Sequence, residues 1–177
     1  LSWVEVEKLS SLLCGKSRPG HFRGVATIVL KLVNITQPEY MYMGIKDFQQ
    51  VVVLERMLQD LNLDTVIRRC PIVREADGLA MSSRNSYLDA DERIKARCLS
   101  QAIEIARQSF AGGERDALAL MESAGRLIEA AGGTIDYVEC VDPRSLTPVK
   151  SVDAETRIVM AVFIGRTRLI DNGALGS

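Results

Sequence analysis

The sequence predicts an α/β protein: a parallel-stranded layer in the first part of the chain, then a small α+β part with antiparallel strands. Two patterns and one bulk property point there. Between residues 39 and 70 a strand-like stretch, a helix-periodic stretch and a second strand-like stretch follow one another with short connections, the pattern of a βαβ unit. After residue 89 two helix-periodic runs, each ended by a Gly-Gly pair, precede runs of strand character. The 177 residues are 47% hydrophobic, ample for a packed core in one domain or two small ones.

Taken in order, Leu1 to Leu13 reads as a strand end running into a short helix. From Phe22 to Ile35 the apolar residues Val25, Ile28, Val29, Leu32 and Val33 recur at helical spacing, and Pro38 bars continuation. Glu39 to Met43 is a short strand that stops at Gly44. Asp47 to Leu61 is a helix with Val51, Leu54, Leu58 and Leu61 on one stripe. Asp64 to Cys70 is β-branched and strand-like, and Pro71 closes it. Ala76-Asp77-Gly78 is a turn between two short strands. Asp89 with Glu92 three residues on forms a capping box that opens a helix to about Phe110. Arg115 to Ala131 is the next helix, with Leu118, Met121, Leu127 and Ile128 apolar and Gly132-Gly133 ending it. Ile135 to Val141 and Thr156 to Ile164 are strands, and Gly165-Arg166-Thr167 turns the chain back into Arg168 to Ile170. A boundary near Ile72 divides the chain into residues 1–72 and 73–177.

The net charge of −1 gives no electrostatic case for a nucleic-acid or membrane surface. No apolar run approaches the roughly 20 residues needed to span a bilayer, and no basic leader with an apolar segment opens the chain. Cys14, Cys70, Cys98 and Cys140 are widely spaced and the sole histidine is His21. That spacing favours reduced, buried thiols over a zinc site, and no metal-ligating residue is assigned. The chain opens on a leucine, which reads as a fragment or a processed product.

Three polar segments carry candidate chemistry. In Gly44-Ile45-Lys46-Asp47-Phe48-Gln49-Gln50 a strand ends in glycine and a helix begins within three residues. Helix N-terminal N–H groups suit phosphate, Lys46 adds a full charge, and Gln50 shares a face with Lys46 and Asp47. The competing reading is an ordinary cap, with Asp47 paired to Gln50, and spacing alone favours it. In Asp77 to Asn85, Ser82-Ser83-Arg84 places two hydroxyls and a guanidinium where a polyphosphate would accept them. A solvated turn is as good a reading. Gly15 to Gly24 holds three glycines, three cations and His21 in what reads as an ordered loop before a helix. It lacks the order of a Walker loop, and His21 is given no proton-transfer role.

Ser17-Arg18-Pro19-Gly20-His21-Phe22-Arg23-Gly24-Val25, then Gly44 to Gln50, then Val73-Arg74-Glu75-Ala76-Asp77-Gly78-Leu79-Ala80-Met81-Ser82-Ser83-Arg84-Asn85, together resemble the pantothenate synthetase (pantoate–β-alanine ligase) family. Arg168-Leu169-Ile170-Asp171-Asn172 fits as well, so the resemblance runs in order over nearly the whole chain. It implies ATP- and Mg2+-dependent joining of pantoate to β-alanine through a pantoyl adenylate, with release of pyrophosphate and then AMP. It also implies a Rossmann-like nucleotidyltransferase domain, here its second half over residues 1–72, followed by a C-terminal α+β lid over residues 73–177, in a cytoplasmic homodimer.

Residue by residue, the resemblance assigns ATP contacts to Gly44, Ile45, Lys46, Asp47, Val73, Met81, Ser82, Ser83 and Arg84, and a pantoate contact to Gln50. Lys46, Ser82 and Ser83 are the groups expected to stabilise the adenylation transition state. Ile45 stands where the family often has a polar residue, which a backbone contact tolerates. The family's opening P-T-M-G-x-L-H-x-G-H type motif, with its phosphate-binding histidines and a pantoate-holding glutamine, is absent. The expectation is therefore a C-terminal portion that is inactive alone. The alternative is a non-catalytic nucleotide-binding or dimerisation module.

Overall fold

The computed structural model describes residues 2–176. It divides into two units: one runs through Pro71 and includes Arg144–Leu146, and the other takes Ile72–Pro143 and the chain from Thr147 onward. The first unit holds helices α1 (Cys14–Ser17), α2 (His21–Thr36) and α3 (Phe48–Asp60), with strands β1 (Tyr40–Gly44) and β2 (Val66–Cys70). β1 and β2 pair in parallel, Tyr40 opposite Val66 and Gly44 opposite Cys70. Parallel neighbours need a crossover, and α3 supplies it. Its buried Val51, Val52, Val53, Leu54, Met57 and Leu58 cover a wide arc of the helix, so that α3 is packed on more than one side. The α2 helix ends where Gln37 takes a left-handed conformation (φ 44°) ahead of Pro38, as the proline predicts.

The N-terminal stretch departs from expectation. Leu1 lies outside the described residues, and residues 2–7 form no strand; a 3-10 turn at Leu9–Ser11 follows. Val4 and Val6 alternate as strand residues would, but no neighbouring strand takes them up. The Val4 N–H instead donates to Thr27 Oγ1 of α2 at 2.9 Å, and Val6 buries alone.

The second unit contains α4 (Ala90–Ala96), α5 (Cys98–Ala111) and α6 (Ala117–Ala130), then β3 (Thr134–Val141), β4 (Arg157–Ile164) and β5 (Thr167–Ala174). The sheet is antiparallel in the order β3-β4-β5, with Ile164 opposite Thr167 at the turn. β4 is the central strand. Ile158, Met160, Val162 and Ile164 enter one hydrophobic cluster with Leu99 and Ile103 of α5 and Leu120, Ala124 and Ile128 of α6. That two-residue period in β4 and the three-to-four-residue period in the helices make the face on which the layers meet. β5 runs well past the Arg168–Ile170 strand expected, because Asp171 to Ala174 continue the ladder opposite Met160 to Arg157.

The single helix expected from Asp89 to Phe110 is two. The Asp89–Glu92 capping box forms, but the chain tightens at Arg97, whose N–H reaches back to Ile94 O. Ala96, Cys98 and Leu99 are all buried. On one straight helix residues 96 and 98 would lie about 200° apart around the axis, and the tightened turn at Arg97 falls between the two.

Leu120 is fully buried in this cluster. Leu120→Ala should lower unfolding free energy by about 2–5 kcal/mol, read as a shift in urea midpoint followed by the circular dichroism of the second unit.

Candidate functional site

Gly44 closes β1 at its carboxyl end, where open parallel sheets place ligands. Its backbone is ordinary extended chain (φ −68°, ψ 128°), and a Cβ added there would meet nothing within 4 Å. The fold therefore makes no demand for glycine at 44, and the missing side chain leaves bare backbone at the strand end. A 3-10 turn at Ile45–Asp47 follows and leads directly into α3. Lys46 Nζ stands 3.9 Å from Asp47 Oδ1, with the lysine side chain 16% exposed and the aspartate 52%.

The capping box favoured by spacing does not form: Asp47 makes no side-chain cap hydrogen bond. The turn holds Asp47 at φ −90°, ψ 58°, away from the extended conformation from which a capping side chain reaches the helix N–H groups. Gln50 is half-buried in the first turn of α3. Its neighbour Gln49 is buried, and sequence reading passed it over. Gln49 Oε1 accepts from Cys14 N–H at 3.0 Å, while its Nε2 donates to Leu9 O at 2.9 Å and Leu12 O at 2.7 Å. One amide thus ties the turn before α1 to α3. The clue was present: Gln49 shares the i+3 and i+4 face of Val52 and Val53, so it had to be buried and partnered.

In the second unit, residues 73–81 form a narrow hairpin. Met81 N–H donates to Val73 O at 2.9 Å and Glu75 N–H to Leu79 O at 2.8 Å, which joins two of the ATP-matching residues, Val73 and Met81. Only one bridge, Arg74 opposite Ala80, qualifies as β-pairing, where two short strands were expected. The hairpin is too short for a ladder, and side chains hold it instead. Gly78 turns it at φ +89°, a conformation that strains other residues.

The holding side chains are charged. Arg74 donates to both Asp171 oxygens of β5, at 2.7 and 3.0 Å, and to Gly78 O at 3.1 Å. Arg93 of α4 donates to Asp77 at 2.8 Å and Glu75 at 2.5 Å. Glu75 also accepts from Asn85 Nδ2 at 2.5 Å. Hydrogen bonding from Asn85, then from Arg93, holds the Glu75 carboxyl below its ordinary range. The Leu79 N–H, with Arg93, does the same for Asp77.

Ser82-Ser83-Arg84 does not sit in an open loop. Ser83–Tyr87 is a 3-10 helix capped by Ser82 Oγ, which accepts from Arg84 N–H at 3.3 Å. Ser83 and Met81 are exposed and Arg84 is half-buried. Arg168 pairs with Asp136 at 2.6 Å and Arg157 with Asn172 at 2.5 Å, so the late Arg168–Asn172 stretch serves the sheet and the hairpin. His21 opens α2, with Arg18 Nη1 3.1 Å from its Nε2. Among the described residues no group of three His, Cys, Asp or Glu side chains is placed to hold a metal ion, and no helix is long and apolar enough to cross a membrane.

Two outcomes follow from the clamp. Arg74→Ala leaves Asp171, 1% exposed, as a buried unpaired carboxylate. The cost should be about 3 kcal/mol, the low end for a broken buried pair because the Arg74 side chain is 31% exposed; denaturant titration measures it. Glu75 and Asp77 are depressed in the folded chain, so the unfolded chain takes up protons first as pH falls. Their stabilisation is in place above the ordinary carboxylate range and disappears as pH drops through their lower folded values. Glu75→Gln should therefore flatten the acid side of the stability–pH profile, and an unchanged slope would contradict the pairing.

A family model for pantoate-β-alanine ligase matches residues 2–174. The chain is 53% identical over 174 residues to the pantothenate synthetase of Anaeromyxobacter dehalogenans, covering 98% of this chain and 60% of that protein. It is 51% identical over 176 residues to that of Thermotoga neapolitana, covering 99% and 63%. The crystal structure of the Thermus thermophilus pantothenate synthetase superposes with a TM-score of 0.95 at 37% identity, over all of this chain and 64% of that one. A Francisella tularensis pantoate-β-alanine ligase, solved in complex with β,γ ATP and β-alanine, superposes at 0.76 and 33% identity, over all of this chain and 59% of that one. The α/β fold, with its parallel pair and separate antiparallel three-stranded sheet, is thus that of known pantothenate synthetases. The chain spans about 60% of the length of the curated relatives it matches, and it belongs to the pantoate–β-alanine ligase family.

Proposed function

We propose that this chain is the C-terminal portion of an enzyme that ligates pantoate and β-alanine at the expense of ATP, and that it does not complete the reaction alone. The observation that carries the reading is Gly44: a glycine that the fold does not require, at the carboxyl end of a parallel strand, two residues before a largely shielded Lys46. Bare backbone beside a lysine is what close approach of a phosphate needs. The Francisella ligase of the same fold was solved with β,γ ATP and β-alanine, which supports the same ligand class here.

In the proposed reaction a pantoate carboxylate oxygen attacks the α-phosphorus of ATP, and the bond to pyrophosphate breaks. The amine of β-alanine then attacks the acyl carbon, loses a proton and displaces AMP. Gly44, Ile45, Lys46 and Asp47 are assigned to ATP on the first unit, and Val73, Met81, Ser82, Ser83 and Arg84 on the second, with Gln50 assigned to pantoate. Lys46 and the Ser82 and Ser83 hydroxyls would offset the charge that grows on the transferred phosphoryl group, donors of a kind worth about 10²–10³ in rate each. We assign Mg2+ to the triphosphate, since this ion characteristically rides on substrate phosphates with few protein ligands. The roles of residues 1–72 as half of a Rossmann-like domain and of residues 73–177 as a lid, the homodimer and the cytoplasmic location belong to the same proposal.

An AMP-release assay with pantoate, β-alanine and Mg-ATP should show no turnover by this chain. Turnover like that of a full-length relative would overturn the partial-site reading. Calorimetry with Mg-ATP should show binding that Lys46→Ala weakens at least tenfold, whereas binding indifferent to that change would remove Lys46 from the site. ATP binding without turnover in the chain rejoined to its missing part would favour the non-catalytic module.

A further inference from the structure

We infer that Asn85 and Glu75 are positioning residues that hold the Met81–Arg84 segment in its presented shape before any nucleotide arrives. The inference rests on the proposed role of that segment in ATP binding, but its geometry stands apart from that role. Asn85 is buried, 6% exposed, and its side-chain and backbone amides together close the segment. Its Nδ2 donates to Ala80 O at 3.0 Å, across five positions of chain, while its backbone N–H donates to Ser82 O at 3.0 Å. Residues 81–84 are thereby enclosed in a loop closed by Asn85 at one end and Ala80 at the other.

The brace has its own support. Glu75 Oε1 accepts from the same Nδ2 at 2.5 Å, and Glu75 Oε2 accepts from Arg93 at 2.5 Å. The carboxylate thus fixes the amide's orientation and is itself fixed to α4. Asn85 Oδ1, also buried, has no hydrogen-bond partner among the described protein atoms. Both hydrogen bonds of the side chain are made by Nδ2, so the donor side of the amide carries the role. Beyond the Met81 N–H bond to Val73 O and the 3-10 turn that Ser82 caps, the segment makes few backbone hydrogen bonds, and ordering it only on ligand binding would weaken that binding. Bracing it in advance removes that cost, as preorganised donors require.

Hydrogen–deuterium exchange on this chain tests the brace directly. Asn85→Ala and Glu75→Ala should each speed amide exchange at Met81–Tyr87 at least tenfold while β3–β5 keep their protection. Glu75→Gln, whose side-chain oxygen still accepts from Asn85, should restore exchange to within about threefold of the parent. Equal exchange in all three variants and the parent would overturn the inference, as would a loss in Glu75→Gln equal to that in Glu75→Ala. In a second measurement, Mg-ATP is titrated while the amide resonances of Ser82–Arg84 are followed. Asn85→Ala should raise the apparent Kd at least tenfold, and an unchanged Kd would refute the link to nucleotide binding. If the parent chain shows no Mg-ATP response at these amides, the assignment of the segment to ATP fails on its own, and the exchange result still decides whether Asn85 braces it.

Discussion

The pairing of Arg74 with Asp171 is the constraint on which the second unit's polar architecture rests. The two residues lie 97 positions apart, and their bidentate contact fastens the hairpin to β5. Removing a carboxylate from water is expensive, and the attraction of a partner offsets that only if the remaining lone pairs are also used. They are here: Asp171 Oδ1 also accepts from Asn172 N–H at 2.8 Å, and Arg74 spends a further donor on Gly78 O. One guanidinium therefore sets both where the hairpin docks and how its turn closes.

From that anchor the remaining contacts follow in sequence. A hairpin with one β-bridge has too few backbone hydrogen bonds to keep its shape, so charged side chains replace the missing ladder. Arg93 grips Asp77 and Glu75 from α4, and α4 is itself set by the Asp89–Glu92 box. The break at Arg97 then lets α5 meet the sheet with Leu99 and Ile103 in the core. The apolar cluster of α5, α6 and β4 supplies most of the stabilisation, because burial of large aliphatic side chains outweighs part-exposed ion pairs. The ion pairs determine which shape the hairpin takes.

What the sequence made legible follows from the range of the interactions concerned. Periodicity located α2, α3, α6 and all three antiparallel strands, although the predicted stripes are only partly buried: Ile28 and Leu32 of α2 and Leu118 of α6 stay more than half exposed. The Asp89–Glu92 box was readable because both partners lie within one turn. The Asp47–Gln50 box had the same spacing and did not form, since the 3-10 turn at Ile45–Asp47 changes the backbone angles that the spacing presumes. The break at Arg97 carries no glycine or proline, so no local residue type announces it. The bridge from Asp171 to Arg74 was invisible, because nothing in local spacing links residues that far apart. Gln49 was within reach, as a polar residue on an apolar helix face, and its three backbone partners supply the reason it is there.

The two glycines of the polar segments make the most useful contrast. Gly78 is explained inside the molecule: its φ of +89° is one that a side chain would strain. Gly44 has an ordinary φ and open space where a Cβ would stand, so nothing within the fold calls for a glycine there. The same division runs through the rest of the two segments. Arg74, Glu75, Asp77 and Asn85 are engaged with protein partners and account for the shape. Val73 and Met81 keep 61% and 56% of their surface in solvent, so neither contributes to the packing that shapes the hairpin. Among the residues that the family resemblance assigns to ATP, Ser82 has a role inside the fold as the cap of the 3-10 helix, whereas Val73 and Met81 stand exposed on the hairpin that Arg74, Glu75, Asp77 and Asn85 hold.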